Sequence, residues 1–223
     1  MIDTVMSVIT NINVLFYLFA YLFGGIPFGL VLTKIFFQID IRKVGSGSIG
    51  ATNVYRAIKE IQPQKAKFFS IITILLDATK GLIVVLFAKI FGLEYSVQWM
   101  IALLAILGHC YSPYLGFNGG KGVATAIGSV FLLMPIEGIL GLIIWGIIGK
   151  VLKISSLSSL FGVLSGILFT FIIPNIFDLP QSINITKQIH SHVPVILIGV
   201  LIIYTHIPNI KRLLKGEEKK VIE

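Results

Sequence analysis

The sequence predicts an all-α, polytopic integral membrane protein of about seven transmembrane helices, with its N-terminus outside and its C-terminus cytoplasmic. Three observations predict it. Of 223 residues, 56% are hydrophobic and only 13% are charged, and the mean hydropathy of +0.94 lies far outside the range of a soluble globular domain. Apolar runs recur at the length of roughly 20 residues that about 30 Å of hydrocarbon demands. The basic residues fall in alternate connecting segments, as cytoplasmic loops collect lysine and arginine.

The first apolar run extends from Val5 to Phe37 and is interrupted by Gly24, Gly25, Pro27 and Gly29. It reads as one kinked span, retained rather than cleaved, because no basic region precedes it and no small-residue cleavage site follows it. Residues 38–67 form a polar, basic segment long enough to hold structure beside the membrane. A second span from Phe68 to Gly92 carries Asp77 and Lys80, which at i, i+3 are expected to pair because isolated charges are costly in a membrane. After a short break at Glu94–Gln98, a third span runs from Trp99 to Tyr111 and leads into a loop through Lys121. The apolar stretch from Val123 to Leu152 would be about 45 Å of continuous helix, too long for one crossing. Two helices are expected, with an outer turn at Pro135–Gly138 that carries Glu137. Residues 157–177 make a sixth span, 193–208 a seventh, and a charged tail follows.

In this arrangement fifteen of the eighteen basic residues lie inside, with Lys89 and Lys187 outside and Lys80 within a span. A single long helix over 123–152 would move Lys150, Lys153 and the tail to the opposite side and erase the asymmetry. The net charge of +8 is thereby explained by topology, and no nucleic-acid partner is expected. Only one cysteine, Cys110, is present, which excludes an internal disulfide and reads as an apolar packing residue. No repeat divides the chain, so residues 1–223 are expected to form a single membrane domain. Its motif-bearing cytoplasmic segments fall at about 38–67, 108–125 and 206–223.

Those three segments hold the candidate chemistry. Gly45-Ser46-Gly47-Ser48-Ile49-Gly50-Ala51-Thr52-Asn53, followed by Arg56, places glycines and hydroxyls where backbone amides can converge on an anion. Formally it matches GxGxxG, but no strand or βαβ unit surrounds it, so dinucleotide binding is disfavoured; it reads alternatively as a turn between helices. Gly108-His109 through Gly116-Phe117-Asn118-Gly119-Gly120-Lys121-Gly122 resembles a phosphate loop opening a helix near Val123. It departs from Walker A in spacing and in the residue after the lysine, and it reads alternatively as a glycine-rich re-entry with a snorkelling lysine. The third cluster is His206, Asn209, Arg212, Glu217 and Glu218, a polar stripe at the end of the last span. Ser155, Ser156, Ser158 and Ser159 open the sixth span, where capping is the expected role. His190 and His192 lack a surrounding ligand cluster, and no metal is expected.

Taken together, these motifs resemble the bacterial acyl-phosphate:glycerol-3-phosphate acyltransferases of phospholipid synthesis. The likeness rests on Gly45–Asn53 with Arg56, on Gly108-His109 with Pro113, Phe117 and Gly119 to Thr125, and on His206 with Asn209-Ile210, Arg212 and Glu218. Asp77, Lys80 and Gly81 resemble the family's second-span signature, and Ser156-Leu157 with Ser159 its later loop. Ser48-Ile49 departs from the family's Asn-Pro, which puts the fine geometry of the first loop in question. The resemblance implies transfer of a fatty acyl group from acyl phosphate to the sn-1 hydroxyl of glycerol 3-phosphate, yielding 1-acylglycerol 3-phosphate and phosphate. It implies Ser46, Lys121 and His206 as catalytic residues. Asn53, Arg56, Gly119, Gly120, Gly122, Thr125, Ser159, Asn209, Arg212 and Glu218 are the implied substrate-binding residues. A monomer in the bacterial inner membrane is expected, with its active site on the cytoplasmic side, no cofactor, membrane lipid around it, and contact with the enzyme that produces acyl phosphate. The rival reading is a small-anion transporter, disfavoured because the polar residues gather at one face rather than at the midplane.

Overall fold

The computed structural model describes residues 11–220, so the stretch Val5–Thr10 of the expected first span lies outside the described residues. Among the described residues the chain is helical, with no strand. Eleven α-helices follow in order: α1 (Ile12–Gly24), α2 (Phe28–Phe37), α3 (Ala51–Lys59), α4 (Pro63–Ile90), α5 (Tyr95–Cys110), α6 (Val123–Val130), α7 (Pro135–Leu152), α8 (Ser155–Ile176), α9 (Ile185–Ile189), α10 (Val193–Thr205) and α11 (Ile207–Leu214).

Four segments are long and apolar enough to cross a membrane: Ile12–Phe37, Pro63–Ile90, Pro135–Leu152 and Ser155–Ile176. A fifth is obtained if α10 and α11, bent by 57° where they meet, count together. The helices at the other expected spans fall short of the roughly 20 residues a crossing needs. The helix α5 has 16 residues and α6 only eight, about 24 and 12 Å of helix against a hydrocarbon core of about 30 Å. The expected turn at Pro135–Gly138 falls instead at Phe131–Met134, because Pro135 occupies the first helical turn of α7, where its missing N–H costs nothing. Glu137, expected in an outer loop, is consequently inside α7 and fully buried.

The helix α5 is central. Its Ile101, Ala102, Ala105 and Ile106 are sequestered in a core shared with Ala20 of α1, Val84 and Val85 of α4, Ala126 of α6 and Ile202 of α10. Association between apolar helices in lipid depends on close packing rather than on expulsion of water, so small residues mark the contacts. A Cβ on Gly24 would overlap the Ala105 carbonyl, and one on Gly128 would overlap the Ala78 carbonyl, which fixes α1 against α5 and α6 against α4. Outward-facing Leu15, Leu18, Leu75, Leu164, Leu168 and Val200 are exposed, as the lipid-facing side of such a bundle must be.

Asp77 and Lys80 pair as their spacing predicts, with 2.9 Å between Lys80 Nζ and Asp77 Oδ1. Lys80 Nζ also donates to the Ile26 carbonyl and to His109 Nδ1, each at 2.8 Å, which adds two hydrogen bonds to the ion pair inside the bundle. The cluster ties α4 to α5 and to the break between α1 and α2.

Candidate active site

The segment after α2 begins with a 3₁₀ turn, Ile41–Lys43, at Asp40, whose carboxylate takes two bonds from the Arg42 side chain and one from its backbone. That partnership holds the Asp40 carboxyl well below the usual carboxylate range. The loop then reverses through Gly45 and Gly47, both at positive φ, where a side chain would be strained. Asn53 organises it. Its amide nitrogen donates to the carbonyls of Ile41, Val44 and Ser48 at 2.8–3.0 Å, and its oxygen accepts from the Ser46 N–H at 3.0 Å. Asn53, expected to bind substrate, lines the cavity but is 1% exposed, with its amide engaged by the loop and its oxygen holding the Ser46 N–H. Ile49, standing where the family pattern has proline, is buried beside Val54 and Ile58 and anchors the loop by packing.

The glycine-rich stretch differs from expectation in a similar way. The Gly119 N–H donates to the Cys110 carbonyl and the Gly120 N–H to the His109 carbonyl, both at 3.0 Å, so these two amides are not available to an anion. A Cβ at Gly120 would strike the His109 ring. The two glycines let the chain fold back on the end of α5 and deliver Lys121 to the cavity. Gly122, at φ +83°, then caps α6. Thr125 is buried on the far side of α6, its carbonyl against Gly81, and its hydroxyl has no hydrogen-bond partner; it does not line the cavity.

At the third stretch the helix breaks. His206 lies between α10 and α11, and its Nδ1 is 2.8 Å from the Ile202 carbonyl. Beside a carbonyl Nδ1 must carry the proton, which leaves Nε2 of the neutral ring as an acceptor. Lys121 Nζ donates to Asn209 Oδ1, and Asn209 Nδ2 donates to Glu218 Oε1. Glu218 is the hub: it also accepts from Arg212 Nε at 2.6 Å and from Ser156 Oγ at 2.8 Å. Its burial works to raise its pKa, but the bonds from Asn209, Arg212 and Ser156 outweigh this and hold it below the ordinary value. For Lys121 burial is the larger influence; with Arg212 and Arg56 acting in the same direction and Glu218 opposing, its pKa falls to about 8.

One cavity of about 230 Å³ collects these groups, with Ser46, Arg56, Lys121, Ser159, His206 and Arg212 among its walls. Gly122, Asn209 and Glu218 line it too, whereas Gly119, Gly120 and Thr125 do not. The serines at the start of α8 depart from their expected capping role. The N-cap of α8 is Ile154 with no side-chain cap; Ser155 Oγ pairs with Thr52 Oγ1 at 3.0 Å, and Ser156 reaches Glu218. Ser156 was the harder residue to find from sequence, since its partner is 62 residues away. Arg56, Lys121 and Arg212 gather in the cavity around Glu218, with Lys219 and the Lys80-paired Asp77 also in its lining, and among the described residues Arg56 donates to the carbonyls of Lys219 and Lys220. The excess of positive donors suits an anion with several oxygens, such as a phosphate. Among the described residues no cluster suited to a metal ion is present.

A bundle of apolar helices with a cationic pocket and a histidine acceptor defines an integral membrane enzyme acting on phosphate esters. The glycerol-3-phosphate acyltransferase family model matches residues 14–216, and the chain belongs to that family. It is 66% identical to the glycerol-3-phosphate acyltransferase of Helicobacter hepaticus over 221 residues, covering 99% of both chains. It is 50% identical to that of Helicobacter pylori, covering 99% of this chain and all of the other. A crystal structure of PlsY, an integral membrane glycerol 3-phosphate acyltransferase in its glycerol 3-phosphate form, superimposes with a TM-score of 0.81 at 37% identity, covering 94% of this chain and 96% of that one. The lysophosphatidic acid form of PlsY gives 0.76 at the same identity.

Proposed function

We propose that the enzyme moves a fatty acyl group from acyl phosphate to the sn-1 hydroxyl of glycerol 3-phosphate, forming 1-acylglycerol 3-phosphate and inorganic phosphate on the cytoplasmic side of the bacterial inner membrane. One observation carries this reading: Arg56, Lys121 and Arg212, from three separated stretches, converge on one cavity that also opens between apolar helices. Two phosphorylated substrates, one soluble and one greasy, fit such a site. That the solved relative has glycerol 3-phosphate and lysophosphatidic acid forms supports the acceptor and the product.

In the proposed reaction the hydroxyl oxygen of glycerol 3-phosphate attacks the acyl carbonyl carbon, and the carbon–oxygen bond to phosphate breaks with its electron pair on the departing phosphate. The hydroxyl proton passes to His206 Nε2 or to a substrate phosphate oxygen. Because phosphate is a good leaving group, holding the reactants together and neutralising developing charge supply most of the catalysis. Lys121 and the Ser46 loop take the reacting phosphate and carbonyl; Arg56, Asn209 and Arg212 take the acceptor. Glu218 keeps Asn209 and Arg212 oriented, and Ser159 lines the entry to the acyl path. Seven spans with an external N-terminus put Ser46, Lys121 and His206 on one membrane side, and a single chain suffices for the site.

Purified protein incubated with palmitoyl phosphate and glycerol 3-phosphate is expected to release lysophosphatidic acid, and palmitoyl-CoA is expected not to replace the donor. Product from the thioester alone would overturn the donor assignment. Uptake of labelled glycerol 3-phosphate into sealed vesicles without product would favour a transporter. Cysteines placed at 46 and 121 that react with impermeant reagents on opposite sides would end the common-site reading.

A further inference from the structure

The geometry points to Glu137 as the residue that closes the far end of the acyl-chain path and sets the chain length the enzyme accepts, an inference that rests on the reaction proposed above. A second cavity, of about 40 Å³, continues the first: Ile127, Gly141, Gly162 and Val163 line both. It runs between α6 and α10 on one side and α7 and α8 on the other, and its lining is apolar apart from Glu137. The Glu137 side chain is fully buried, and neither carboxyl oxygen has a hydrogen-bond partner. An unpartnered carboxyl in hydrocarbon surroundings is costly and calls for an explanation beyond packing.

Its depth supplies one. The Glu137 carbonyl lies opposite Gly166, 3.6 Å from where a Cβ there would sit. Along α8, Gly166 is ten residues beyond Ser156, which touches Glu218 in the polar cavity. Ten residues are about 15 Å of helix, half of a hydrocarbon core of about 30 Å. A chain anchored at the polar cavity and running down the path for the depth of one leaflet therefore meets the Glu137 carboxyl at its terminal methyl. Methylenes short of that point are buried among Ile127, Val130 and Ile198, whereas further ones meet a polar group they cannot satisfy. Gly138, beside Glu137 on the same wall, leaves open space where a Cβ would be, so the path can be narrowed from there without a backbone clash.

The test measures kcat/KM across acyl phosphates of graded chain length, and in parallel the binding of 1-acylglycerol 3-phosphates of the same lengths. Glu137→Ala is expected to raise kcat/KM for a donor two carbons longer by roughly fifteenfold relative to wild type, at about fourfold per buried methylene. Gly138→Leu is expected to shift the optimum towards shorter chains, and Glu137→Gln to keep the wild-type profile. The KM for glycerol 3-phosphate is expected to stay constant in all three, which a general loosening of the bundle would not produce. Unchanged length profiles in both Glu137→Ala and Gly138→Leu would overturn the inference. If no variant or wild type uses acyl phosphate yet lysolipid binding shifts with length as stated, the donor assignment fails while the role of Glu137 stands.

Discussion

Replacing Lys121 by methionine keeps the length of the side chain and removes its charge, and the structure allows the loss to be estimated. The ammonium has three hydrogens, of which one is donated to Asn209 Oδ1. Two remain for substrate oxygens, and each hydrogen bond to a charged group contributes about 1.5–3 kcal/mol. Their removal should cost about 3–6 kcal/mol in the transition state, which at about 1.4 kcal/mol per decade is a fall of about 10² to 10⁴ in kcat/KM. Steady-state turnover in detergent or nanodiscs, with unfolding temperature as a control for integrity, is the assay. The pH profile adds an independent check. With its pKa lowered to about 8, Lys121 loses its charge as pH rises through that value, so kcat/KM should fall on the alkaline side near pH 8. Bound phosphate favours the charged form, so the same limb in kcat should move upward. Lys121→Arg, which does not titrate in this range, should lack the limb at whatever activity it retains. A loss under tenfold in Lys121→Met, or an identical alkaline limb in Lys121→Arg, would refute the assignment.

Arg56→Ala should raise the KM for glycerol 3-phosphate by at least tenfold while leaving unfolding temperature nearly unchanged, since its present partners are two tail carbonyls. Glu218→Gln should weaken the grip on Arg212 and lower kcat more than stability; a change confined to stability would count against the hub role. Because the Glu218 pKa is depressed from 4.5, its contribution to stability is complete above that value and is lost as pH falls through the lower folded value. Wild type should therefore lose more stability than Glu218→Gln below pH 4.5. Asp77→Ala should destabilise by about 3–5 kcal/mol, because it leaves Lys80 buried without its counter-charge, whereas Asp77→Leu with Lys80→Met should recover most of that loss. Equilibrium unfolding in mixed micelles separates the two.

The sequence disclosed the bundle and the meeting of its three motifs better than it disclosed the atoms each motif presents. Composition alone forced helices in lipid, and the i, i+3 spacing of Asp77 and Lys80 already implied their pair. The family resemblance nominated Lys121, Arg56 and Arg212, since cations on the inner side of a membrane are ordinarily explained by topology alone. What spacing could not reveal was the direction of backbone groups. Gly119 and Gly120 have the composition of an anion nest, yet their amides face the end of α5. The family resemblance implied a binding role for Asn53, and only the folded loop shows its amide surrounded by carbonyls. Pro135 was compatible with a turn or with a helix start, and the choice between them decides whether Glu137 meets water or the interior. Ser156 belonged to a motif the resemblance picked out, but its bond to Glu218 became visible only when the tail folded back to it.

The bond between Ser156 and Glu218 also bears on when the enzyme becomes competent. Synthesis proceeds from the N-terminus, so Ser46, Arg56, Lys121 and His206 leave the ribosome before the one carboxylate that joins Asn209, Arg212 and α8. Until residue 218 emerges, Asn209 and Arg212 lack their shared acceptor and α8 has no tether to the segment after α11. The bonds that orient Asn209 and Arg212 are thus completed by a segment made after α11, once the rest of the described bundle has been synthesised.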